Sequence, residues 1–256
     1  MSNNNIEPVT DHENKFMEPV YRLLAFYGLL LFVCTMFVFF PFYMICFLLK
    51  EPVASKWHRQ VSRVWMTIYL NLIGCPLKVK GKEHYAKGAN YVVVCNHSSL
   101  MDVPVTTPFM PQANKTIGKK SFAYSPFFGL IYMAGSILID RKSEKSRKES
   151  FRKMNWALRI GLDMVIYPEG TRNRTNDPLK NFYDGAFKLA VNARKPVMPA
   201  LLFNTKKILP PDKGFYLHPH KIEMHFLPPV SSENISSKEL KEKVFRIMWD
   251  YYEANY

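Results

Sequence analysis

The sequence predicts an α/β fold: a mixed, mostly parallel central sheet flanked by helices, preceded by an N-terminal hydrophobic membrane helix and an interfacial amphipathic helix. Three observations carry this. From about residue 75 onward, short apolar, β-branched runs alternate with stretches of helical spacing, the pattern of strands joined by helical crossovers. The run Leu23–Leu49 contains no charged residue, and its 27 positions exceed the roughly 20 that cross a hydrocarbon core. After it, Trp57, Val61, Val64, Trp65, Ile68, Tyr69 and Leu72 recur at helical spacing. Arg59, Gln60, Ser62, Arg63 and Asn71 fall between them, as in a helix lying in a membrane interface or, equally, an ordinary core-facing helix.

Taken in order, the chain divides into a polar lead over 1–19, a membrane-associated helical hairpin over 20–74 and a further domain over 75–256. The apolar run is too long for the core of a signal peptide and has no small-residue cleavage site, so it is expected to be retained. Pro41 lies inside it and is expected to kink or break the helix, leaving Leu23–Phe40 as the straighter part. Lys50, Lys56, Arg59 and Arg63 follow the run closely, and the positive-inside rule places the downstream side in the cytoplasm. Strands are predicted at Leu77–Lys80, Tyr91–Val94, Lys115–Ile117, Ile137–Ile139, Met164–Tyr167 and Val197–Phe203. A helix after Arg141 carries a Ser146–Glu149 capping box and stops at Gly161, and a short one spans Asp184–Arg194. Phe215–Leu227 reads as a hairpin or paired strands, and Ser236–Glu239 opens a last helix reaching about Tyr252.

Composition bounds the function. A chain of 256 residues with 48% hydrophobic content supports one sizeable core plus a membrane element. The net charge of +14 favours an anionic partner, either nucleic acid, a phospholipid surface or an acidic protein. Cys34, Cys46, Cys75 and Cys95 have neither zinc-site nor disulfide-framework spacing. His218, His220 and His225 have no carboxylate or cysteine at ligand spacing, so no metal is expected.

The chemistry concentrates where apolar strands end in polar residues. Tyr91–Val94 runs into Asn96-His97-Ser98-Ser99, Ile137–Ile139 into Arg141, and Met164–Tyr167 into Pro168-Glu169-Gly170-Thr171-Arg172. In a parallel sheet such ends share one edge, where ligands bind. Ser98 or Ser99 is placed to cap a helix whose first turn holds Asp102, close enough to accept a hydrogen bond from one nitrogen of His97. The other nitrogen is then free as a general base for a hydroxyl nucleophile. Arg141 and Arg172 offer planar forks for phosphate, Gly170 allows close backbone approach, and Lys119 and Lys120 add point charges. Cys95, closing a buried valine run, reads as an inert core thiol.

Asn96-His97-Ser98-Ser99-Leu100-Met101-Asp102, Gly135-Ser136-Ile137-Leu138-Ile139-Asp140-Arg141, Tyr167-Pro168-Glu169-Gly170-Thr171-Arg172 and Pro196-Val197-Met198-Pro199 stand in the order of the four motifs of the glycerolipid acyltransferases. The set, over roughly 56–202, resembles bacterial-type 1-acyl-glycerol-3-phosphate (lysophosphatidic acid) acyltransferases. That resemblance implies that 75–256 is a catalytic acyltransferase domain with His97 as base and Asp102 as its assistant. It further implies that Arg141, Glu169, Gly170, Thr171 and Arg172 form the acceptor site; Lys119 and Lys120 are placed with them by their charge and position alone. The fourth block would have a packing or acyl-pocket role. One departure is Asp184, where many members carry a basic residue before Gly-Ala-Phe.

The implied reaction moves an acyl group from an acyl-CoA or acyl-acyl carrier protein thioester to the sn-2 hydroxyl of lysophosphatidic acid. It needs no cofactor, and its product is phosphatidic acid, made at the inner (cytoplasmic) membrane among phospholipids. Backbone N–H groups near Ser98 are candidate oxyanion donors. A related acyltransferase acting on another lysolipid, such as a lyso-ornithine lipid, fits the same motifs. A membrane-bound lipid hydrolase would use Ser98, Ser99 or a water, but the chain has no Gly-x-Ser-x-Gly elbow. A nucleic-acid or metal-binding protein would rest on charge and the three histidines alone.

Overall fold

The structure is a computed structural model that describes residues 11–140 and 142–256, with the side chains of 11–16 left out. Helix α1 (Asp11–Met44) begins within the stretch read as a polar lead and runs through Pro19 and Pro41. Pro41 does not end it. The missing N–H falls three residues before the helix stops, so its effect is confined to the last turn. Helix α2 (Val53–Leu72) folds back along α1. The Nε1–H of Trp57 donates to the Phe42 carbonyl (2.7 Å), that of Trp65 to Thr35 Oγ1 (2.8 Å), and the Tyr69 hydroxyl to the Gly28 carbonyl (3.3 Å). As one partner number rises the other falls, which makes the pair an antiparallel hairpin.

The rest of the chain runs β1 (Leu77–Lys80), β2 (Val92–Cys95), α3 (Asp102–Phe109), β3 (Asn114–Lys119), α4 (Phe128–Gly135), β4 (Ser136–Ile139) and α5 (Glu144–Arg159). There follow β5 (Asp163–Ile166), α6 (Gly185–Ala193), β6 (Val197–Phe203), α7 (Thr205–Ile208), β7 (Ile222–Phe226) and α8 (Ser237–Asn255). Among the described residues seven strands form one sheet in the order β1-β7-β6-β2-β5-β3-β4. The stretch from β6 to β4 is parallel throughout, whereas β7 runs antiparallel to β6 and parallel to β1. The expected hairpin over 215–227 is therefore absent: one strand, β7, forms there, and its partners lie far away in sequence.

Each central strand is buried on both faces, as a parallel sheet requires. Val93, Cys95, Val165, Met198 and Leu202 face the hairpin and α3, whereas Val92, Val94, Met164, Ile166 and Leu201 face α5, α6 and α8. Two caps differ in outcome. Ser236 and Glu239 make the expected capping box on α8, but α5 is capped one turn earlier than expected: the Ser143 side chain accepts from Ser146 N.

The arginines of α2 do not face a headgroup layer. Arg59 donates to the Met110 carbonyl (2.9 Å), and Arg63 to those of Pro108 (3.0 Å) and Met110 (2.7 Å), satisfying the carbonyls at the end of α3. Trp65, Met66 and Tyr69 are buried between α1 and the sheet. Val64, Ile68 and Leu72 stay exposed along one stripe, next to the exposed Leu23, Phe26, Leu30 and Val38 of α1. A surface this apolar belongs in lipid rather than water, and the molecule is membrane-associated through it.

Candidate active site

The β2 strand ends at Cys95, and Asn96 fixes the turn that follows by exchanging two hydrogen bonds with Leu202 of β6 (3.0 and 2.7 Å). His97 and Asp102 then meet. The Nδ1–H of His97 donates to Asp102 Oδ2 at 2.8 Å, and the same oxygen accepts from Ser98 N (2.7 Å) and Ser99 N (2.8 Å). The expected helix cap is inverted: neither serine caps α3, and instead the fully buried carboxylate caps the turn before it. With three donors on one oxygen, Asp102 acts as acceptor, fixes the proton on Nδ1, and leaves His97 Nε2 with a free lone pair. Because Ser98 N and Ser99 N are committed to Asp102, they are not available as oxyanion donors.

The loop after β5 holds the other side of His97. Glu169 Oε1 accepts from His97 N (2.7 Å), Glu169 Oε2 from Lys180 N (3.1 Å), and the His97 carbonyl from Asn173 N (2.6 Å). The Tyr167 ring packs on the imidazole with centroids 4.6 Å apart. Glu169 is buried, and burial pushes its carboxyl up to about 7. It thus ties the two loops together through backbone rather than pointing at a ligand. Burial also raises the Cys95 thiol, so Cys95 stays neutral and inert.

His97 and Gly170, the latter at φ +71°, stand at one end of a cavity of about 320 Å³. Its walls come from both halves of the molecule: Phe32 and Trp65 from the hairpin, Val103 from α3, Ile131 from α4, Ile117 from β3. Lys119 lines it, while Lys120 is exposed and off the lining. A Cβ on Gly118 would come within 2.7 Å of Tyr132, so glycine is required for that ring to form the wall. Arg172 is half-buried and, among the described residues, makes no hydrogen bond or ion pair, but lies off the lining. Exposed Thr171 accepts from Lys180 Nζ (2.8 Å). Arg141 lies outside the described residues; its strand, β4, ends beside Lys119, at the sheet edge that carries His97.

Other expectations resolve structurally. Pro196 and Pro199 sit at the start of β6 and use their carbonyls in the sheet, accepting from Val92 N and Leu227 N; neither lines the cavity. Asp184 pairs with Lys241 (2.7 Å), joining α6 to α8. The His225 ring bonds Glu223 (2.9 Å) and Tyr251 (3.1 Å). Sequence reasoning missed Asn96, Asn173 and Lys180. For Asn96 the signal was present, a buried amide directly after a strand; the other two reach the site only through the path of the loop.

The family model described as Acyltransferase matches residues 76–202. The 1-acyl-sn-glycerol-3-phosphate acyltransferase of Saccharomyces cerevisiae is 27% identical over 77% of this chain and 65% of its own length. That of Escherichia coli is 28% identical over 67% of this chain and 69% of its own. The mouse alpha enzyme is 29% identical over 66% and 60%. This chain thus spans about two thirds or less of the yeast and mouse relatives. The crystal structure of the 1-acyl-sn-glycerophosphate acyltransferase PlsC from Thermotoga maritima superposes with a TM-score of 0.77, at 20% identity, covering 94% of this chain and 97% of that one. The likeness extends to the fold as a whole, hairpin included.

Proposed function

We propose, from the premise that this chain belongs through residues 76–202 to the acyltransferase family, that it transfers an acyl group from an acyl thioester to the sn-2 hydroxyl of 1-acyl-glycerol-3-phosphate. The product is phosphatidic acid. One observation carries the reading: the His97–Asp102 pair opens on a cavity walled jointly by the membrane hairpin and the sheet. An acyl chain in that cavity brings its thioester to His97, and an acceptor hydroxyl arriving from lipid meets both.

His97 Nε2 removes the hydroxyl proton as the oxygen attacks the thioester carbon. Asp102, already an acceptor for Nδ1–H, stabilises the imidazolium. The C–S bond then breaks, and the thiolate recovers the proton from His97. No residue is acylated along this route. Arg172, Gly170 and Thr171, with Arg141, Lys119 and Lys120 from the neighbouring edge, are assigned to the acceptor phosphate. Acyl-CoA and acyl-acyl carrier protein are both donors of suitable charge for a basic surface. The domain faces the cytoplasm at the inner membrane, following the lysines after the apolar run.

A hydrolase is less well supported. Ser99 Oγ donates to the Leu209 carbonyl (3.0 Å) and Ser98 Oγ bonds Thr205 Oγ1 (3.2 Å), so neither hydroxyl is held by the His97 ring. The test is a product assay on the purified, detergent-solubilised protein, with radiolabelled acyl-CoA or acyl-acyl carrier protein and a panel of lysolipids. Phosphatidic acid formed only with lysophosphatidate supports the reading. Fatty acid released without any acceptor, or product formed only from another lysolipid such as lyso-ornithine lipid, overturns it.

A further inference from the structure

The cavity that His97 lines has a mostly apolar wall, but α1 and α2 also bring polar groups to it. Tyr43, His58 and Ser62 reach the lining. The Tyr43 hydroxyl and Ser62 Oγ are 2.7 Å apart and make no other hydrogen bond among the described residues. The His58 ring lies against Tyr43 with centroids 5.1 Å apart, and one helical turn separates it from Ser62.

The protonation of this group is fixed by its surroundings. His58 Nε2 is 3.2 Å from the Ile131 carbonyl, which can only accept, so Nε2 carries the proton and Nδ1 a bare lone pair. Burial holds the imidazole down to about 4, so the ring is neutral. Among the described residues Nδ1 has no hydrogen-bond partner. The Tyr43–Ser62 pair has two O–H groups and uses one between them, leaving one donor. The nearby Lys115 is closed on itself by Glu51 (2.8 Å) and the Ala134 carbonyl (2.8 Å), and neither charge lines the cavity. This part of the wall therefore presents one unmet acceptor beside one unmet donor, next to the apolar side chains of Trp65 and Ile131.

A hydroxyl group is both donor and acceptor, and it meets both at once. A plain methylene chain meets neither and leaves two desolvated polar groups unpaired. The site is also far from the reacting carbon. His58 lies over the start of β4, since a Cβ on Gly135 would come within 2.5 Å of its ring, while His97 follows β2, three strand spacings or about 14 Å across the sheet.

We propose that Tyr43, His58 and Ser62 form a subsite for a hydroxyl carried on the distal half of the acyl chain. This rests on the acyl-transfer reading above and adds a preference for oxygenated chains to it. The test uses a saturated acyl-CoA and its monohydroxylated isomers, the hydroxyl moved one carbon at a time, with lysophosphatidate as acceptor. The readout is the kcat/KM ratio of each hydroxylated donor to the unsubstituted one. The ratio is expected to exceed one at a distal position and to fall about tenfold in His58→Leu. His58→Asn, which keeps an acceptor, recovers part of it, and the double variant Tyr43→Phe with Ser62→Ala, which deletes both hydroxyls and with them the free donor, gives an independent fall. A ratio at or below one for every isomer, or one unmoved both by His58→Leu and by Tyr43→Phe with Ser62→Ala, overturns the proposal. Binding of the same chains as free fatty acids, read by displacement of a fluorescent fatty acid, reports on the cavity even where no transfer occurs. Loss of transfer with retained hydroxyl preference in binding would therefore count against the proposed reaction and not against the subsite.

Discussion

At His97 the arrangement makes sharp demands on single side chains. His97→Ala removes the base and should lower acyl transfer by about 10²–10⁴-fold, with circular dichroism and liposome association unchanged. Asp102→Ala should do comparable damage for a different reason, since it strips the partner from three donors at once. Glu169 separates two roles by kinetics. If it holds the His97 peptide, Glu169→Gln lowers kcat and leaves the KM for lysophosphatidate nearly unchanged; a rise in that KM alone would mark it as a ligand contact. Glu169 and Asp163 also link stability to pH, because burial raises both carboxyls to about 7. Between their unfolded values, near 4, and about 7 the folded state binds more protons, so stability is fullest below that window and falls as pH rises through it. Asp163→Asn should flatten that fall, measured by urea unfolding across the window. The pairing of His97 with Asp102 was legible in the sequence because the two are near neighbours after a strand. What Glu169 does was not, because its partners are the backbone amides of residues 97 and 180, and which amide a carboxylate meets is set by loop paths.

Elements were legible to the extent that their signals were local. The strands Leu77–Lys80 and Val197–Phe203 appear as expected, since an apolar run between turn residues needs no distant partner to be recognised. β7 was misjudged because its alternation is equally compatible with a local hairpin, and only long-range pairing with β1 and β6 decides. In α2 the mixed face of tryptophans and arginines gave the helix but not its neighbours, and the arginines turned out to cap α3. Helix α4 yields a test at this scale. A Cβ on Gly129 would collide with the Ala123 carbonyl, which is backbone and cannot step aside. Gly129→Ala should cost about 1–3 kcal/mol, read from denaturant unfolding, and should lower transfer as well, because α4 supplies Ile131 and Tyr132 to the cavity.

For the molecule as a whole, the exposed apolar side of α1 and α2 predicts the mode of membrane binding. Replacing Phe26 and Leu30, both exposed, with lysine should release the protein from liposomes in a flotation assay, whereas high salt alone should not, since the contact is apolar. The sequence announced a membrane element by length and composition. It could not announce that the same element completes the pocket, since Phe32, Tyr43 and Trp65 meet the domain only through tertiary packing.

That shared wall sets a limit on how the protein can be simplified. A version trimmed after α2 to make it easy to handle in water would keep His97 and Asp102 yet have a trough open along one flank. It would no longer grip a fatty tail, however well its dyad were preserved. If the proposed transfer holds, residence in the bilayer and selection among tails are then one property, and neither can drift in evolution without dragging the other along.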